Sequence, residues 1–506
     1  MLALRANIRS LLSRNLLRRL YLNPTCFRNV STVHLDPAIR GFAAALLKKQ
    51  PCFSMHPKDV HVLSEPQQFH QQLLDMVHRA RRRIFISSLY IGHADTRLID
   101  TLHETLRNNA GLNVYLHLDL NRSTRPESSS TAQVLLPLLR DHPNRVHVSL
   151  FRSPKLRGLM AKLVPPRFNE GWGTWHAKIY GVDDEVMISG ANLNRSYYTN
   201  RQDRYIHFTA QPTLAQYCFS FLESMSTCSY RLLPTTSAIP NEGYHIEWPD
   251  PNTHPHNIES KAEKALTKLQ ASFMSSTTTQ HDPPDTAPSE VLVFPIIQAG
   301  QFNIREEEQC LSILFNHLAM HGTSASFNPT MDLTSGYFGL YKPYQDLILR
   351  SSIDCRIIAA SPMANGFYGS RGLSGRIPDG YTLLEQRFIK AVNAARRNWS
   401  VDGGKGIRLN EWAREGWTYH AKGIWLSPTP DSAPILSLFG STNLNSRSSH
   451  LDTELSFVMM TSSDILRRRL QEEVQALRQW VVPWKGQERR VPWTTKVIAG
   501  IVGGML

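Results

Sequence analysis

Apolar residues recur in two alternating patterns along the first half of the chain. Short runs in which most positions are apolar predict buried strands, and apolar residues spaced three or four apart predict helices packed on those strands. Strands are predicted over residues 84–91, 112–118 and 146–150, and helices over residues 69–80 and 96–106. Because strands alternate with helices, the predicted fold class is α/β, with helices layered on a sheet.

The second half restarts this pattern after a change in composition. Apolar residues over 258–273 predict an amphipathic helix, and residues 275–288 form a linker rich in Ser, Thr and Pro. Strands are predicted from Val291 and over residues 355–360, and a last amphipathic helix over residues 465–481. A chain of 506 residues is long enough to bury two cores, which suits two related halves.

The two halves predict internal correspondences. The strand over residues 355–360 runs into the loop 361–369 much as the strand over residues 84–90 runs into Gly92 and His93, so these strands are expected to correspond. The predicted organisation is a leader over 1–35, a first half over 50–250, a helix and linker over 256–290, a second half over 291–485 and a tail over 486–506.

Charge distinguishes the N-terminus from the rest of the chain. The formal net charge is +14, and the first acidic residue is Asp36. Residues 1–35 alternate Leu and Ile with Arg, a composition typical of mitochondrial transit peptides, although a basic surface helix has a similar pattern. The remaining positive charge favours anionic partners, and charge alone does not choose among nucleic acid, anionic lipid and phosphorylated small molecules.

Two other classes of protein are disfavoured. The six cysteines are dispersed without a Cys-x-x-Cys pair, which argues against a zinc site or a disulfide framework. No apolar run approaches the roughly 18 residues of a membrane-spanning helix, and the longest candidate, residues 497–506, is short and rich in glycine. We therefore expect a protein that binds a membrane surface rather than one that spans the membrane.

A short chemical motif occurs twice. Each copy has a His, a Lys two residues later, an Asn, and an acid eleven residues after that Asn. A displacement at phosphorus needs a nucleophile, an opposing acid or base, and cationic groups that neutralise the phosphate. The repeat therefore predicts one active site assembled from two half-sites. Its members are His176, Lys178, Asn192 and Asp203 in the first copy, and His420, Lys422, Asn443 and Glu454 in the second.

Local structure is expected to bring these residues together. A neutral imidazole is a competent nucleophile near neutral pH, and a Lys two residues away on a strand points to the same side. A hairpin through Asp183 and Asp184 would bring His176 close to Asn192, whose amide can donate to the same phosphate. An isolated His, Lys or Asn is usually a surface or structural residue, and the repetition in register favours the functional interpretation.

These residues resemble the His-Lys-Asp motif of the phospholipase D superfamily, with Asp183 as the acid of the first copy. The second copy departs from the pattern, because Ser427 stands where the acid is expected and the gap to Asn443 is seven residues longer than in the first copy. Either Asp431 replaces the missing acid or the acid is dispensable. Asp183 has the alternative interpretation of a cap on its hairpin.

Within that superfamily the chain resembles the phosphatidylglycerophosphate synthases of eukaryotic mitochondria over residues 50–485. The strings that carry the resemblance are Arg167-Phe-Asn-Glu170, Ser189-Gly-Ala-Asn-Leu193, Thr199-Asn-Arg-Gln-Asp-Arg-Tyr205, Ser361-Pro-Met-Ala-Asn-Gly-Phe-Tyr-Gly369 and Gly416-Trp-Thr-Tyr-His-Ala-Lys422.

This resemblance implies a pseudo-twofold α/β fold in which two phospholipase D-like halves share one active site. It implies transfer of the phosphatidyl group of CDP-diacylglycerol to glycerol 3-phosphate, with release of CMP, as the first committed step towards phosphatidylglycerol and cardiolipin. No metal or other cofactor and no nucleic acid partner is expected. The implied location is the mitochondrion, with peripheral attachment to the inner membrane.

The resemblance also implies roles for the repeated residues. His176 is expected to form the covalent phosphatidyl intermediate, and His420 to act as the acid or base. The acids are expected to pair crosswise, Asp203 with His420 and Glu454 with His176, since a carboxylate at imidazole Nδ1 fixes the tautomer. The structural alternative for Asp203 is a surface salt bridge with Arg201 or Arg204.

Further substrate contacts are predicted on loops that follow strands. Arg122, Arg125, Arg371 and Arg376 are candidate phosphate ligands, with ordinary surface charge as the alternative. The strand and glycine turn over residues 87–94 could hold the nucleotide of a substrate, as proposed for this family, although the segment lacks the Gly-Lys-Ser/Thr of a P-loop. Its residues are Ser87, Ser88, Leu89, Tyr90, Ile91, Gly92, His93 and Ala94.

Two rival functions remain open on sequence grounds. A phospholipase or nuclease would use the same residues but pass the intermediate to water. A catalytically silent membrane- or nucleic-acid-binding protein would keep the fold without the chemistry, and the two complete His-Lys pairs argue against it.

Overall fold

A computed structural model describes residues 31–92, 96–126, 130–235, 243–276, 290–321, 328–400 and 404–502. The predicted leader therefore lies largely outside the described residues, as do His93, Ala94 and most of the predicted linker. The described helices are α1 (Pro37–Leu47), α2 (Pro66–His78), α3 (Thr96–Asn108), α4 (Leu120–Ser123), α5 (Thr131–Asp141), α6 (Gly158–Leu163), α7 (Ser196–Thr199), α8 (Pro212–Ser226), α9 (Glu259–Ser276), α10 (Glu306–His321), α11 (Lys342–Arg350), α12 (Ile377–Ala394), α13 (Ser446–His450), α14 (Asp464–Arg478) and α15 (Trp493–Val502).

The strands of the first half are β2 to β11, and those of the second half are β12 to β21. In chain order the strands are β1 (Phe53–Met55), β2 (Val60–Leu63), β3 (Arg83–Ser87), β4 (Asn113–Asp119), β5 (Val146–Phe151), β6 (Ile179–Val182), β7 (Glu185–Ser189), β8 (Arg201–Gln202), β9 (Tyr205–Phe208), β10 (Tyr230–Pro234), β11 (Tyr244–Glu247), β12 (Val291–Ala299), β13 (Ile304–Arg305), β14 (Thr330–Ser335), β15 (Asp354–Ala360), β16 (Ile407–Trp412), β17 (Thr418–Tyr419), β18 (Lys422–Ser427), β19 (Leu436–Gly440), β20 (Glu454–Thr461) and β21 (Val481–Pro483).

Each half is built on one mixed sheet. The first sheet has the order β11-β10-β5-β4-β3-β6-β7-β9-β2, with parallel pairing confined to β3, β4 and β5. The second sheet repeats this arrangement as β21-β16-β15-β14-β18-β19-β20-β12, with β14, β15 and β16 parallel. The α/β class and the predicted strands of both halves are therefore confirmed, although β3 ends at Ser87 and the chain to Ile91 continues as a loop.

The repeated strand order corrects one expected correspondence. The strand over 355–360, β15, occupies the place of β4 and not that of β3, whose counterpart is β14. The pattern around β14 was missed because Thr330, Asp332 and Thr334 interrupt its apolar run. All six residues of β14 are nevertheless buried, and protein groups rather than water bind two of its polar side chains: Asp332 pairs with Arg356 at 2.7 Å, and Thr334 donates to the carbonyl of Ile358 at 3.0 Å.

The first part of the described chain belongs to the second sheet. β1 pairs antiparallel with β12, with Phe53 opposite Val293 and Met55 opposite Val291. α1 also packs on the second sheet, and its Ile39 and Phe42 are fully buried. The expected boundary at residue 50 therefore does not separate the two halves, because the chain crosses from the second sheet to the first only after β1.

A shared core joins the two halves. The inner faces of both sheets meet in one apolar cluster, in which the rings of Phe208 and Phe439 stack at 6.2 Å. Arg204 crosses the same interface, where its guanidinium lies 3.7 Å from the ring of Trp425 and donates to both carboxylate oxygens of Glu473 at 2.8 and 2.9 Å. This buried bidentate pair fixes how the two sheets dock, because each partner alone would leave an uncompensated buried charge.

The described part of the predicted tail is ordered against the second half. α15 lies beside α12, and Arg376 at the start of α12 donates to Thr494 Oγ1 at 3.5 Å. Across the described residues, no helix is both long enough and apolar enough to cross a membrane.

Candidate active site

Each candidate histidine is held by backbone hydrogen bonds from the opposite half. The amide of His176 donates to the carbonyl of Thr453 at 3.0 Å, and the amide of His420 donates to the carbonyl of Gln202 at 2.8 Å. The second contact belongs to a short parallel pairing of β17 with β8, and Trp175 forms the equivalent parallel bridge with Thr453. The same local geometry therefore occurs twice, related by the pseudo-twofold axis.

The two acids pair crosswise with the histidines, as expected. His176 Nδ1 lies 2.9 Å from both carboxylate oxygens of Glu454, and His420 Nδ1 lies 2.6 Å from Asp203 Oδ2. Ser448 also donates to Glu454 at 2.7 Å. A carboxylate at Nδ1 places the imidazole proton there and leaves Nε2 as the reactive nitrogen of each ring.

Burial sets the charge of these pairs. The pKa of each histidine is lowered, first by burial and then by the neighbouring lysine, and the pKa of His420 falls well below its usual range. Burial alone would raise the pKa of Glu454, but the adjacent His176 and Lys178 hold it well below its ordinary value. The ground state of each pair is therefore a neutral imidazole beside a carboxylate, which is the form a nucleophile or general base requires.

The two lysines are buried beside the paired histidines. Lys178 Nζ donates to the carbonyl of His176 at 2.7 Å, and Lys422 Nζ donates to the carbonyl of His420 at 2.6 Å. Lys422 Nζ also lies 3.5 Å from Asp203 Oδ2. Burial lowers the pKa of Lys178 to about 7 and lowers the pKa of Lys422. A phosphate in the cleft would reverse this effect, since an anion beside a buried ammonium favours its charged form.

The repeated asparagines complete the site but differ in their bonding. Asn192 donates through Nδ2 to the hydroxyl of Tyr197 at 3.0 Å and accepts from the amide of Leu89 at 3.4 Å. Asn443 Oδ1 is buried and has no hydrogen-bond partner among the described residues. Tyr197 and Tyr337 flank His420, with their rings edge-on at 5.3 and 5.4 Å from the imidazole.

Curated relatives match nearly the whole chain. It is 33% identical over 494 residues to the CDP-diacylglycerol–glycerol-3-phosphate 3-phosphatidyltransferase of Schizosaccharomyces pombe, an alignment covering 89% of this chain and 95% of the relative. It is 34% identical over 477 residues to the mitochondrial protein of that name from Homo sapiens, covering 90% and 82% of the two chains. The chain belongs to this phosphatidyltransferase family. The family expected from the sequence is therefore confirmed.

One solved structure shows the fold of the phosphatidyltransferase. The phosphatidylserine synthase of Haemophilus influenzae Rd KW20 aligns with a TM-score of 0.66, over 93% of this chain and 98% of that chain, at 19% identity. No family model matches the sequence. The alignment along both halves supports a two-lobed fold.

Asp183 lies away from the reacting groups of the phosphatidyltransferase. It sits at the turn between β6 and β7, where its carboxylate accepts from the amides of Arg81, Arg82 and Arg83 at 2.8, 2.9 and 3.0 Å. Its φ is +51°, a turn conformation that Asp tolerates better than most residues. The expected catalytic assignment is corrected by this geometry: Asp183 anchors the hairpin to the start of β3.

The second hairpin replaces this carboxylate with a backbone group. Ser427 is a buried residue of β18, and the longer loop after it brings the carbonyl of Pro428 within 3.0 Å of the amide of Asn328, just before β14. Asp431 is exposed in that loop and does not take the place of the missing acid. The motif tolerates Ser427 because this backbone hydrogen bond, rather than a carboxylate, anchors the hairpin to the neighbouring strand.

The segment 87–92 of the phosphatidyltransferase has an unpredicted second copy. Residues 334–339 span the end of β14 and the loop after it, as residues 87–92 span the end of β3 and its loop, so Tyr337 occupies the place of Tyr90. Ser87 donates to the carbonyl of Ala177 at 2.7 Å, next to the first histidine. The signal for this copy was the pair of strings Ser-Ser-Leu-Tyr-Ile-Gly and Thr-Ser-Gly-Tyr-Phe-Gly.

The remaining residues of the predicted substrate segment fall into two groups. Ser88 and Leu89 are buried structural contacts beneath the site, while Tyr90 is partly exposed and accepts from Asn194 Nδ2 at 3.1 Å. Ile91 is buried and bridges to Leu193, and the amide of Gly92 donates to the carbonyl of the same residue at 2.7 Å.

Only some of the arginines predicted to bind phosphate lie near the candidate substrate segment. The guanidinium of Arg122 lies 4.3 Å from the ring of Tyr90, and Arg125 pairs with Glu170. Arg371 and Arg376 are exposed on the loop after β15. Sequence reasoning did not select Arg201, which adds to burial in lowering the pKa of His420, or Arg447, which pairs with Asp452 at 2.9 Å.

One group of side chains has the spacing of a metal site. Ligand atoms of His176, Asp452 and Glu454 lie within 4.8 Å of one another. Asp452 already accepts from Arg447 Nε at 2.9 Å and from Thr174 Oγ1 at 3.0 Å, and Glu454 is engaged by His176. Hydrogen bonds within the protein therefore account for all three groups.

Proposed function

We propose that this protein transfers the phosphatidyl group of CDP-diacylglycerol to the primary hydroxyl of glycerol 3-phosphate and releases CMP. Membership of the phosphatidyltransferase family supports the substrates and the reaction. The observation that carries the mechanism is the pair of crossed His–carboxylate contacts. Each contact uses Nδ1, so that two Nε2 atoms are available for successive displacements at one phosphorus.

In the first step His176 Nε2 attacks the lipid-side phosphorus of CDP-diacylglycerol. A P–N bond forms, the phosphoanhydride P–O bond breaks, and the electron pair leaves with CMP. Glu454 stabilises the positive charge that develops on the imidazole, because its carboxylate accepts a hydrogen bond from Nδ1 at 2.9 Å. Lys178, just before β6, and Lys422, at the start of β18, neutralise the phosphate oxygens as charge builds on them.

In the second step His420 Nε2 takes the proton of the glycerol 3-phosphate hydroxyl. The hydroxyl oxygen attacks the same phosphorus, the P–N bond breaks, and His176 returns to its neutral state. Asp203 holds the His420 imidazolium until its proton is released. A bound hydroxyl outcompetes water here because its position is fixed relative to the phosphorus.

The decisive experiment follows labelled CDP-diacylglycerol with and without glycerol 3-phosphate. We expect labelled CMP to exchange back into CDP-diacylglycerol without acceptor, and phosphatidylglycerophosphate to form when acceptor is added. Phosphatidic acid as the sole product at saturating acceptor would instead assign a hydrolase. No CMP release under any condition would assign a silent binding protein.

We further propose that the protein works in mitochondria, on the surface of the inner membrane. The human relative carries the name mitochondrial, and the Arg- and Leu-rich start of the chain has a transit-peptide composition. Fusing residues 1–35 to a fluorescent reporter tests import, and a cytosolic reporter would contradict it. Fractionation of mitochondria tests attachment to the inner membrane. Recovery of the protein with the outer membrane would contradict this location.

An apolar surface beside the cleft supports the membrane contact. The loop 361–370 has one side on Tyr337, whose ring lies 5.9 Å from that of Phe367, and exposes Met363 and Tyr368 on the other side. Leu373, shortly after this loop, and Trp493, beside the Thr494 that Arg376 contacts, are 60% and 74% exposed. Exposed apolar side chains next to a cleft for a lipid substrate are suited to insertion among lipid headgroups.

The contact is tested with vesicles that contain anionic lipid. Leu373→Glu and Trp493→Glu together should lower vesicle binding at least tenfold, because each places a charge where apolar contact is expected. Met320→Glu is the matched control, since Met320 is 85% exposed on α10, away from the loop. Equal binding by the double variant and the control would contradict this docking surface.

A further inference from the structure

The two half-sites carry opposite charges at one repeated position. Arg201 lies two residues before Asp203, and Asp452 lies two residues before Glu454. Both make the same cross-half contact with a threonine that precedes the partner histidine by two residues. Arg201 Nε donates to Thr418 Oγ1 at 2.9 Å, and Asp452 Oδ1 accepts from Thr174 Oγ1 at 3.0 Å. The repeat is therefore symmetric in geometry and asymmetric in charge.

The charged side chain at this repeated position has an oppositely charged partner only in the half-site of His176. Asp452 is fully buried and forms an ion pair with Arg447 at 2.9 Å. Arg201 donates to Thr418 and lies over the ring of Tyr197 at 4.4 Å, and no carboxylate among the described residues forms an ion pair with it. The His420 side thus keeps a partly buried guanidinium with a permanent positive charge.

The neighbours of Arg201 are hydrogen-bond donors. A Cβ atom on Gly366 would lie 3.2 Å from Arg201 Nη2 and 3.0 Å from the hydroxyl of Tyr337. Both groups therefore converge on the space that this glycine leaves empty. The ring of Tyr381 lies 5.5 Å from that of Tyr337. Burial raises the pKa of both tyrosines to about 12, so their hydroxyls keep their protons and can donate.

The guanidinium is set back from the reacting centre by the width of one aromatic ring. Tyr197 stands between them, 5.3 Å from the imidazole of His420 and 4.4 Å from Arg201 Cζ. Five bonds of about 1.5 Å separate the free primary hydroxyl oxygen of glycerol 3-phosphate from its phosphorus, which is roughly 6 Å in the extended conformation. A hydroxyl at His420 would therefore carry its phosphate towards Arg201.

We infer that Arg201, with the hydroxyl of Tyr337, binds the phosphate monoester of the acceptor and so selects glycerol 3-phosphate over glycerol. The inference rests on the proposed function and replaces Arg122, Arg125 and Arg371 as the expected acceptor-phosphate ligands. A guanidinium suits this task because its planar fork donates to two phosphate oxygens at once. The neighbouring glycine leaves the space for those oxygens that a side chain would fill.

The test compares acceptor use with CMP release in purified full-length variants. Arg201→Gln should raise the KM for glycerol 3-phosphate at least tenfold, and should narrow the preference for glycerol 3-phosphate over glycerol by a similar factor. Exchange of labelled CMP into CDP-diacylglycerol without acceptor should fall much less than transfer does. Arg201→Lys keeps the charge without the fork and should give an intermediate KM.

Two matched variants and the exchange reaction make each outcome decisive. Arg107→Gln, at an exposed arginine on α3, should leave the KM for glycerol 3-phosphate unchanged, whereas a larger effect of Arg122→Gln than of Arg201→Gln would overturn the inference. Equal losses of exchange and transfer in Arg201→Gln would place the arginine on the donor and overturn it too. If Arg201→Gln does not fold, an unchanged KM for glycerol 3-phosphate in a folded Arg201→Lys variant would also overturn the inference. Absence of CMP exchange in the unaltered protein would instead count against the proposed function.

Discussion

At the scale of single residues, the site is a balance of buried charges across two halves of the chain. Each histidine takes its carboxylate from the opposite half, and each lysine binds the carbonyl of its own histidine. The pairing costs desolvation, which Coulombic contact and hydrogen bonds offset only while both members are present. Removing one group should therefore affect the chemistry far more than its size suggests.

The first prediction concerns the two histidines. His176→Ala and His420→Ala should each lower turnover by about 10³-fold or more, because neither half-site can supply the role of the other. His420→Ala should still release CMP in a first displacement, whereas His176→Ala should not. Rapid-quench measurement of labelled CMP separates the two, and His254→Ala, at an exposed histidine, is the control. Substantial turnover by either variant would contradict the shared site.

The second prediction concerns pH. Burial lowers the pKa of Lys178 to about 7, so its ammonium is present below that pH and lost above it. We expect kcat/KM to fall as pH rises through about 7, and the corresponding limb of kcat to lie higher because bound phosphate favours the charged lysine. In Lys178→Arg this limb should disappear from the pH range 6–9. A flat profile for the unaltered enzyme over that range would contradict the assignment.

Residue types that repeat identically were predictable from the sequence, and those that differ were not. The acids at Asp203 and Glu454 follow from their constant offset to the asparagines. Arg201 and Asp452 share a position but not a charge, so a search for identical residues passes over them. Their relation becomes visible when the cross-half threonine contacts are known, because these contacts depend on how two distant segments dock.

At the scale of elements, the two hairpins show how one structural task is met by different chemistry. In the first, a side-chain carboxylate accepts three amides at the start of β3. In the second, the carbonyl of Pro428 accepts the amide of Asn328. Sequence periodicity predicted the strands themselves, since burial dictates an apolar run, but not β14, whose buried Asp332 and Thr334 have partners elsewhere in the fold.

The third prediction separates stability from catalysis at these hairpins. Asp183→Ala should lower the free energy of unfolding by about 1–3 kcal/mol, because it leaves backbone donors without their charged acceptor. Ser427→Ala should change it by less than about 1 kcal/mol. Thermal unfolding measures both, alongside kcat of the folded fraction. A large loss of kcat in Asp183→Ala without loss of stability would instead restore a catalytic role.

At the scale of the whole molecule, the described chain starts in the second lobe. Leu35 is fully buried, and its carbonyl accepts from Arg40 Nε at 2.7 Å. The boundary at residue 35 expected for the leader would remove this contact. The sequence could not reveal this, because the composition of the leader changes gradually into that of α1.

The fourth prediction follows from this burial. A chain that starts at residue 31 should fold and keep full activity, whereas one that starts at residue 49 should lose stability by several kcal/mol, since α1 buries Ile39, Phe42 and Leu46 against the second sheet. Activity and thermal unfolding of the two shortened proteins check this. Equal stability of both would mean that α1 contributes little to the folded state.

The pairing of β1 with β12 also constrains the order in which the protein can mature. Phe53 leaves the ribosome more than 200 residues ahead of its partner Val293. At about 5–20 residues per second, the segment waits roughly 10 to 50 s for the strand that covers it. During that interval the apolar face of α1 is available to chaperones or to other nascent chains. The earliest part of the chain to be made is thus among the last to reach its place, and because the proposed import needs an unfolded chain, the second lobe closes only after Val293 has followed Phe53 across the membrane.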